Sequence, residues 1–256
     1  MPSRPLDREV HLRTSRSIYE RLGSHARICR YISSVQRGIL LERFGEPLRK
    51  HLLELHEQGK TPSHPQALKW TSQIAEGLAY IHRKGIVQGD AGCHNILLKH
   101  DEVKLCDFGG SSIHGEPAKA GYECRSQRWD STFENPSIPN ELFALGSTIY
   151  EIWTTTRPYQ NEPDDMVEQN YKCLRFPDLG SLPVAETIHK CWHGTYTSAD
   201  EVIMDLKSLE IELKETHKYT NVNYAAILAA FVSVMLAAIL AAWLPPRFTV
   251  TTFLHS

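Results

Sequence analysis

Residues 86–109 read IVQGDAGCHNILLKHDEVKLCDFG and contain two short runs of strand-forming residues, ILL and VKL, separated by a polar turn. This pattern predicts a β-hairpin. Asp90 and Asn95 lie in the loop before the hairpin, and Asp107 lies directly after it. Because a hairpin brings its two ends together, we expect these three side chains to converge. Their oxygen atoms suit a hard cation such as Mg²⁺ and a hydroxyl group that is to be deprotonated.

The order D-x-x-x-x-N, hairpin, D-F-G resembles the catalytic and metal-binding loops of protein kinases. A lone D-F-G would be weak evidence, but the three features in register are specific. The resemblance implies that Asp90 orients or deprotonates a substrate hydroxyl. It also implies that Asn95 and Asp107 hold Mg²⁺ against the phosphates of ATP. The competing interpretation is a polar turn with a satisfied Asp in some other α+β domain.

Two departures from the family pattern affect three positions, the pair Gln88-Gly89 and Gly92. Gln88 and Gly89 stand where His and Arg usually precede the catalytic Asp, and Gly92 replaces a Lys two residues after it. The Arg of the family pairs with a phosphorylated activation loop, so Gly89 argues against that switch. The Lys meets the transferred phosphate, so Gly92 removes a charge partner of the transition state.

The small lobe of a kinase is incomplete in this sequence. Residues 1–17 are polar and basic, and a helix is predicted to begin at Ser17, resembling the end of the kinase C-helix. We find no Gly-rich loop and no strand Lys before it. The acid that would pair with that Lys is expected near position 15, which is Ser.

Residues 31–43 predict two strands, and the second resembles the strand that leads to the kinase hinge. By that resemblance, backbone groups of Glu42 to Phe44 would face the adenine of ATP. An ordinary strand end is the competing interpretation.

Apolar periodicity predicts several helices between Glu46 and Leu213. The expected helices are Glu46–Gln58, His64–Lys84, Asn140–Thr155, Val184–Trp192 and Ser198–Leu213. Glu141 stands where the family usually has an Asp that accepts backbone N–H groups from the catalytic loop, so we expect a looser brace. The stretch after Asp107 resembles an activation segment without the closing A-P-E. Candidate phosphorylation sites in this stretch are Ser111, Ser112, Ser126 and Ser131, and an ordinary solvated loop is the competing interpretation.

Bulk composition excludes some other classes. The chain has 256 residues and a formal net charge of −2, so a general attraction to nucleic acid is not expected. Its six cysteines are scattered without a CxxC pair, which excludes a disulfide framework and favours a reducing compartment. The N-terminus lacks the apolar core of a signal peptide.

Residues 224–244, YAAILAAFVSVMLAAILAAWL, carry no charge. At 1.5 Å per residue they span about 31 Å, close to the thickness of a bilayer core. Tyr224 and Trp243 lie near the ends, where aromatic rings favour the interface. The sequence therefore predicts a C-terminal membrane anchor. Three lysines upstream, against one arginine downstream, place the kinase-like part in the cytosol. An Ala-rich helix buried in a soluble domain is the alternative.

Together these features predict an α+β, protein-kinase-like fold with a mostly helical C-lobe, an incomplete N-lobe and a C-terminal transmembrane helix. The expected boundaries are a polar segment 1–17, a kinase-like domain 18–213 with its N-lobe remnant at 18–43 and its C-lobe at 44–213, a juxtamembrane segment 214–223, a transmembrane helix 224–244 and a tail 245–256.

The resemblance implies weak transfer of the ATP γ-phosphate to protein Ser or Thr, with Asp90 as base, Asn95 and Asp107 as Mg²⁺ ligands, and a protein substrate or signalling partner. The alternatives are an inactive, membrane-anchored binding module (a pseudokinase) and a small-molecule phosphotransferase, whose H-G-D loop Gly89-Asp90 also resembles.

Overall fold

The computed structural model describes residues 5–36, 38–113, 115–116, 120–129 and 136–216, with 233, 235 and 236 beyond; for residues 5–10 the description covers the backbone. The chain divides into two compact units, Met1–Leu209 and Glu210–Ser256. In chain order the elements of the first unit are α1 (Pro5–Leu22), β1 (Tyr31–Val35), β2 (Gly38–Leu41), β3 (Glu46–Pro47), α2 (Leu48–Glu57), α3 (His64–Arg83), β4 (Ile86–Val87), β5 (Ile96–Lys99), β6 (Glu102–Leu105), β7 (Ser112–Ile113), α4 (Ile138–Thr154), α5 (Asp164–Lys172) and α6 (Ala185–Trp192). Residues 199–209 are helical and close this unit.

The described strands form three small antiparallel sheets. β1 pairs with β2, β5 lies between β3 and β6, and β4 pairs with β7. The predicted hairpin is confirmed as β5–β6, with Ile96 opposite Leu105 and Lys99 opposite Glu102. His100, in the turn, has a φ of 56°. This hairpin positions the loops at its open end.

The core of the first unit is built on α3 and α4. On α3 the predicted apolar face is buried: Ala67, Leu68, Ile74, Ala75, Leu78 and Ile81 are at most 5% exposed. α4 begins where the Ser137 side chain accepts a hydrogen bond from the Asn140 amide, with Pro139 in the first turn. It ends at Thr155, whose φ of 60° is left-handed. Leu145 and Ile149 in its middle are fully buried.

The N-terminal segment differs from its prediction. α1 begins at Pro5 and not at Ser17, so most of the predicted polar segment 1–17 is helical. Its sequence concealed this because residues 11–17 contain only one large apolar residue, Leu12, and give no helical period. Contacts near the C-terminal end of α1 anchor it, since Ile18, Tyr19 and Leu22 are at most 1% exposed.

In the second unit residues 210–216 are helical, as are Ser233, Met235 and Leu236. The predicted span 224–244 lies outside the described residues except at those three positions. Across the residues that the structure does describe, none of the helices combines the length and apolar character needed to cross a membrane.

Candidate functional site

The open end of the β5–β6 hairpin brings the predicted site loops together. The Cys106 amide donates a hydrogen bond to the Asn95 carbonyl (3.0 Å), one pair beyond the last strand residues. Asp107 follows Cys106 directly, so Asn95 and Asp107 leave the hairpin at the same end. The convergence expected from the sequence is therefore present in the backbone.

Asn95 fixes the catalytic loop through its side chain. Its Nδ2 donates to the Asp90 carbonyl and to Asp90 Oδ2, both at 3.0 Å. With both amide hydrogens directed at Asp90, the Asn95 Oδ1 atom points elsewhere and is the atom that can bind a cation. The Asp90 side chain is 29% exposed, so a substrate hydroxyl can reach it.

Asp107 is held in an unusual backbone conformation. Its φ is 55°, and its Oδ1 accepts a hydrogen bond from the Gly109 amide (3.2 Å). A left-handed non-glycine residue costs on the order of 1–3 kcal/mol, and such residues cluster at functional sites. Phe108 next to it is fully buried, with its ring edge against Tyr19 of α1 at 5.2 Å. This packing keeps Asp107 exposed while Phe108 anchors the loop.

The donor set fits Mg²⁺ bound together with a nucleotide. Asn95 supplies an amide oxygen and Asp107 a carboxylate, which are ligands that Mg²⁺ accepts. Within the described ranges no group of three or more His, Cys, Asp or Glu side chains could hold a metal alone. Mg²⁺ commonly uses one or two protein ligands and completes its shell with phosphate oxygens and water. The chemistry of these two side chains is therefore compatible with Mg²⁺ that is held together with a nucleotide.

The catalytic loop rests on a buried carboxylate. Glu141 of α4 is 0% exposed, and its Oε1 accepts the Gly89 amide N–H (3.0 Å). Its Oε2 lies 2.5 Å from His82 Nε2 on α3. The longer side chain thus braces the loop and contacts a second element. The sequence shows no sign of this contact, because His82 and Glu141 are 59 residues apart and leave no local pattern.

Gln88 and Gly89, which stand where the family has His and Arg, both make defined contacts. Gln88 Nε2 donates to the Cys106 carbonyl (2.7 Å), which ties the catalytic loop to the strand that ends before Asp107. Gly89 has a φ of 79°, a conformation that favours glycine. The loop is therefore ordered without the usual His and Arg.

Residues missed from the sequence form a charged cluster beside Asp90. Arg49 of α2 binds the carboxylates of Glu123 and Glu151. His94 Nε2 lies 3.2 Å from Asp90 Oδ2, and His94 Nδ1 lies 3.5 Å from Glu123 Oε2. The second distance permits ionic attraction but is not a hydrogen bond.

The electrostatics of this cluster favour charged forms. Burial lowers the pKa of His94, but the hydrogen bond and charge of Asp90, with Glu123, outweigh it and the net shift is upward. Burial raises the pKa of Glu123, yet its hydrogen bonds and attraction to Arg49 bring the pKa below its ordinary value.

The predicted adenine-facing residues lie beside Lys104 of β6. The Glu42 amide donates to the Arg30 carbonyl (2.8 Å), and its carboxylate accepts from the Arg30 amide (2.8 Å) and from Lys104. Phe44 lies with its ring 4.5 Å from Lys104 Nζ. In the part of the chain that the structure describes, neither residue bonds to Asp90, Asn95 or Asp107, and their role toward adenine stays a prediction.

The helix acid of active kinases is replaced by a hydroxyl. Ser15 Oγ lies 3.4 Å from the point that a Cβ of Gly109 would occupy, so α1 presents Ser15 to the Asp107 loop.

The candidate phosphorylation sites Ser111, Ser112 and Ser126 are only 5–7% exposed, so these residues are buried in this conformation. Ser131 lies outside the described residues.

Comparisons with known proteins agree with this geometry. The chain is 33% identical over 145 residues to the epidermal growth factor receptor of Drosophila melanogaster, which is 49% of this chain and 10% of that protein. It is 29% identical over 184 residues to mitogen-activated protein kinase kinase kinase 1 of Arabidopsis thaliana, 65% of this chain and 29% of that protein. It is 26% identical over 157 residues to serine/threonine-protein kinase plk-1 of Caenorhabditis elegans, 56% of this chain and 23% of that protein.

The matched part of this chain thus corresponds to 10–29% of the length of these relatives. The model of the protein kinase domain matches residues 4–206, which is most of the chain. That match begins one residue before α1 and includes Asp90, Asn95 and Asp107. The chain therefore belongs to the protein kinase domain family.

Proposed function

We propose that this protein transfers the γ-phosphate of ATP to a Ser or Thr hydroxyl of a protein substrate, at a low rate. The observation that supports this most is the arrangement of Asp90, Asn95 and Asp107 at the open end of the hairpin. Three of the similar proteins are named as serine/threonine-protein kinases, one of them as a probable and one as a putative kinase. The matching family, that of protein kinase domains, argues against the small-molecule phosphotransferase.

Each of the three residues has a defined task in this proposal. Asp90 accepts the proton of the attacking hydroxyl, and Asn95 holds Asp90 by two hydrogen bonds, which would leave its side-chain oxygen available to a bound cation. Asp107 supplies a carboxylate ligand. Bound Mg²⁺ would neutralise charge on the ATP phosphates.

A low rate is expected because the Lys that would meet the transferred phosphate is absent. Gly92 provides no cation, and Ser15 provides no acid on α1 to orient one. Removing one such electrostatic stabiliser commonly costs about 2.7–4 kcal/mol, or two to three orders of magnitude in rate.

The alternative proposal, an inactive kinase-like binding module, is favoured by the same two positions. The His94 ring occupies the space beside Gly92, where a Cβ would lie 2.8 Å from it. A Lys side chain cannot enter there without displacing His94. Rate measurement separates the two proposals, because ordinary protein kinases turn over at about 1–100 s⁻¹.

The first test is stabilisation of the purified full chain by Mg²⁺–ATP. At a ligand concentration a hundredfold above its Kd, we expect about 2.7 kcal/mol of added stability, seen as a rise in Tm. Asp107→Ala should abolish the Mg²⁺-dependent part, whereas Asp165→Asn, at an exposed position on α5, should keep it. Equal shifts in the wild type and Asp107→Ala would contradict the metal assignment.

The same preparations decide between enzyme and binding module. Phosphate transfer from labelled ATP to a generic protein substrate that disappears in Asp90→Asn supports slow catalysis. Mg²⁺–ATP stabilisation without transfer supports the module. Turnover at ordinary kinase rates would contradict the low-rate proposal.

The membrane anchor is a further part of this proposal. The uncharged stretch 224–244 supports it, because spans of this length and composition commonly insert. By the excess of upstream lysines, the kinase domain then lies in the cytosol.

A further inference from the structure

Arg49 of α2 is bound by two carboxylates at once. Its Nε and Nη2 donate to Glu151 at 2.7 and 2.9 Å, and its Nη1 and Nη2 donate to Glu123 at 2.8 and 2.7 Å. The Arg49 and Glu151 side chains are 17% and 7% exposed, and Glu123 is 33% exposed. Four charge-assisted hydrogen bonds from one planar guanidinium give a geometry that a lysine cannot reproduce.

This contact ties a loop to two helices. Arg49 lies on α2 and Glu151 on α4, both of them packed helices, whereas Glu123 belongs to the segment 120–129 that follows the Asp107 loop. The partners are 74 and 102 residues apart in sequence. The loop residue is therefore fixed by helices that hold their own positions.

The same cluster reaches the catalytic loop. Glu123 Oε2 lies 3.5 Å from His94 Nδ1, and His94 Nε2 lies 3.2 Å from Asp90 Oδ2. Gly92 makes this possible, because a Cβ there would lie 2.8 Å from the His94 ring and 3.9 Å from Arg49 Nη2. The loss of the family's Lys is thus matched by a His and an Arg that fill the space.

A second arginine holds the other side of the segment. Arg125 donates to the Tyr159 carbonyl (3.3 Å) and to Asp164 (2.5 Å), and the Tyr171 hydroxyl donates to the Arg125 carbonyl (3.1 Å). Tyr122 is 9% exposed.

We propose that Arg49 is a positioning residue that, by clamping Glu123 to Glu151, holds the segment 120–129 against the catalytic loop without phosphorylation. Its value for catalysis rests on the proposed phosphoryl transfer. The clamp itself is a property of the fold and is measured without turnover. In the family pattern, a phosphate on the activation loop pairs with an arginine that precedes the catalytic Asp, and in this chain that position is Gly89. Here the Glu123 carboxylate and Arg49 of α2 form the corresponding pair.

The test is amide hydrogen exchange of the full chain, followed by mass spectrometry. In Arg49→Met the peptides covering 120–126 should exchange at least about tenfold faster, because local opening of the segment loses its anchor. Arg49→Lys should give an intermediate rate, since one ammonium cannot serve both carboxylates. Arg83→Met, which removes an exposed pair with Asp200, is the matched control and should change nothing in this segment.

Two further measurements separate positioning from general stability. Peptides of the β5–β6 hairpin and the Mg²⁺–ATP shift should be unchanged in Arg49→Met, while in any transfer assay KM for the protein substrate rises and KM for ATP does not. Phosphatase treatment of the wild type should leave the exchange of 120–126 as it was. If Arg49→Met does not fold, Glu123→Gln decides by the same exchange measurement, because it leaves Arg49 paired with Glu151.

The proposal is overturned if the exchange of 120–126 in Arg49→Met, or in Glu123→Gln where that variant decides, matches the wild type. Faster exchange of 120–126 after phosphatase treatment would overturn it too. Faster exchange in the variant together with no transfer by the wild type would support the clamp and contradict only the enzymatic proposal.

Discussion

Glu141 is the residue on which the catalytic loop depends most directly. It is fully buried and accepts from two donors on different elements, the Gly89 amide and His82 Nε2. The His82 Nδ1 atom has no hydrogen-bond partner in the part of the chain described. His82 therefore depends on this one contact, and Glu141 connects α3, α4 and the loop that carries Asp90.

We expect Glu141→Leu to lower the free energy of unfolding by at least about 2 kcal/mol, because two buried donors lose their acceptor at about 1–3 kcal/mol each. Glu141→Asp introduces the residue usual in the family and should lower the free energy of unfolding by less. The shorter carboxylate can keep the hydrogen bond from the Gly89 amide and lose only the contact with His82. Urea denaturation of both variants checks this. A Leu variant as stable as the wild type would show that the brace contributes nothing.

At the scale of single residues, sequence reasoning reached Asp90, Asn95 and Asp107 because their spacing is local. It did not reach Arg49, Glu123 or Glu151, because their contacts join residues 74 and 102 positions apart. A charge in a sequence does not indicate its partner. Packing of α2 against the one-turn helix Cys93–Asn95, and of α4 against the one-turn helix Cys124–Ser126, makes these three residues a cluster.

At the scale of elements, helices with a strong apolar period were predictable and helices without one were not. α3 and α4 lie within two residues of their predicted bounds. α5 (Asp164–Lys172) was not predicted, since only Val167 and Tyr171 of its nine residues are buried. α2 buries only a narrow stripe, since Leu48 and Leu52 are buried whereas Leu53 is 46% exposed.

The junction between α6 and the helical residues 199–209 offers a test of pH dependence. Asp205 accepts from the Tyr196 hydroxyl (2.6 Å) and from Lys190 Nζ (2.9 Å). These hydrogen bonds, first that of Tyr196 and then that of Lys190, lower the pKa of Asp205. A carboxyl with a lowered pKa in the folded state stabilises above its unfolded pKa, near 3.9, and loses this contribution as the pH falls through the folded value.

We therefore expect Asp205→Asn to reduce stability at pH 7 by about 1 kcal/mol or less, because the pair is partly exposed. The difference from the wild type should shrink below about pH 4, where the wild-type carboxyl becomes protonated. Denaturant titrations at several pH values measure this, with Asp165→Asn as the control. A difference that stays constant down to pH 2 would contradict the assignment.

At the scale of the whole molecule, the chain joins a kinase domain to a second unit of different composition. The family model ends at residue 206, and the first compact unit ends at Leu209. The sequence predicted the kinase domain because its motifs are specific, and it predicted a membrane span from composition alone. The predicted span 224–244 lies outside the described residues except at three positions, so an experiment on membranes is its test.

We expect the full chain, tagged at both ends, to remain with the membrane pellet after carbonate extraction. In sealed vesicles the N-terminal tag should be digested by added protease and the C-terminal tag protected, because the upstream lysines keep the kinase domain outside. Val234→Lys with Ala237→Lys should release the protein, since each charge near the middle of a span costs about 2.5–3.5 kcal/mol. Asn221→Lys with Asn223→Lys, which adds the same charge just before the span, should leave it bound. Release of the wild type by carbonate, or protection of its N-terminal tag, would show that residues 224–244 do not anchor the protein in this orientation.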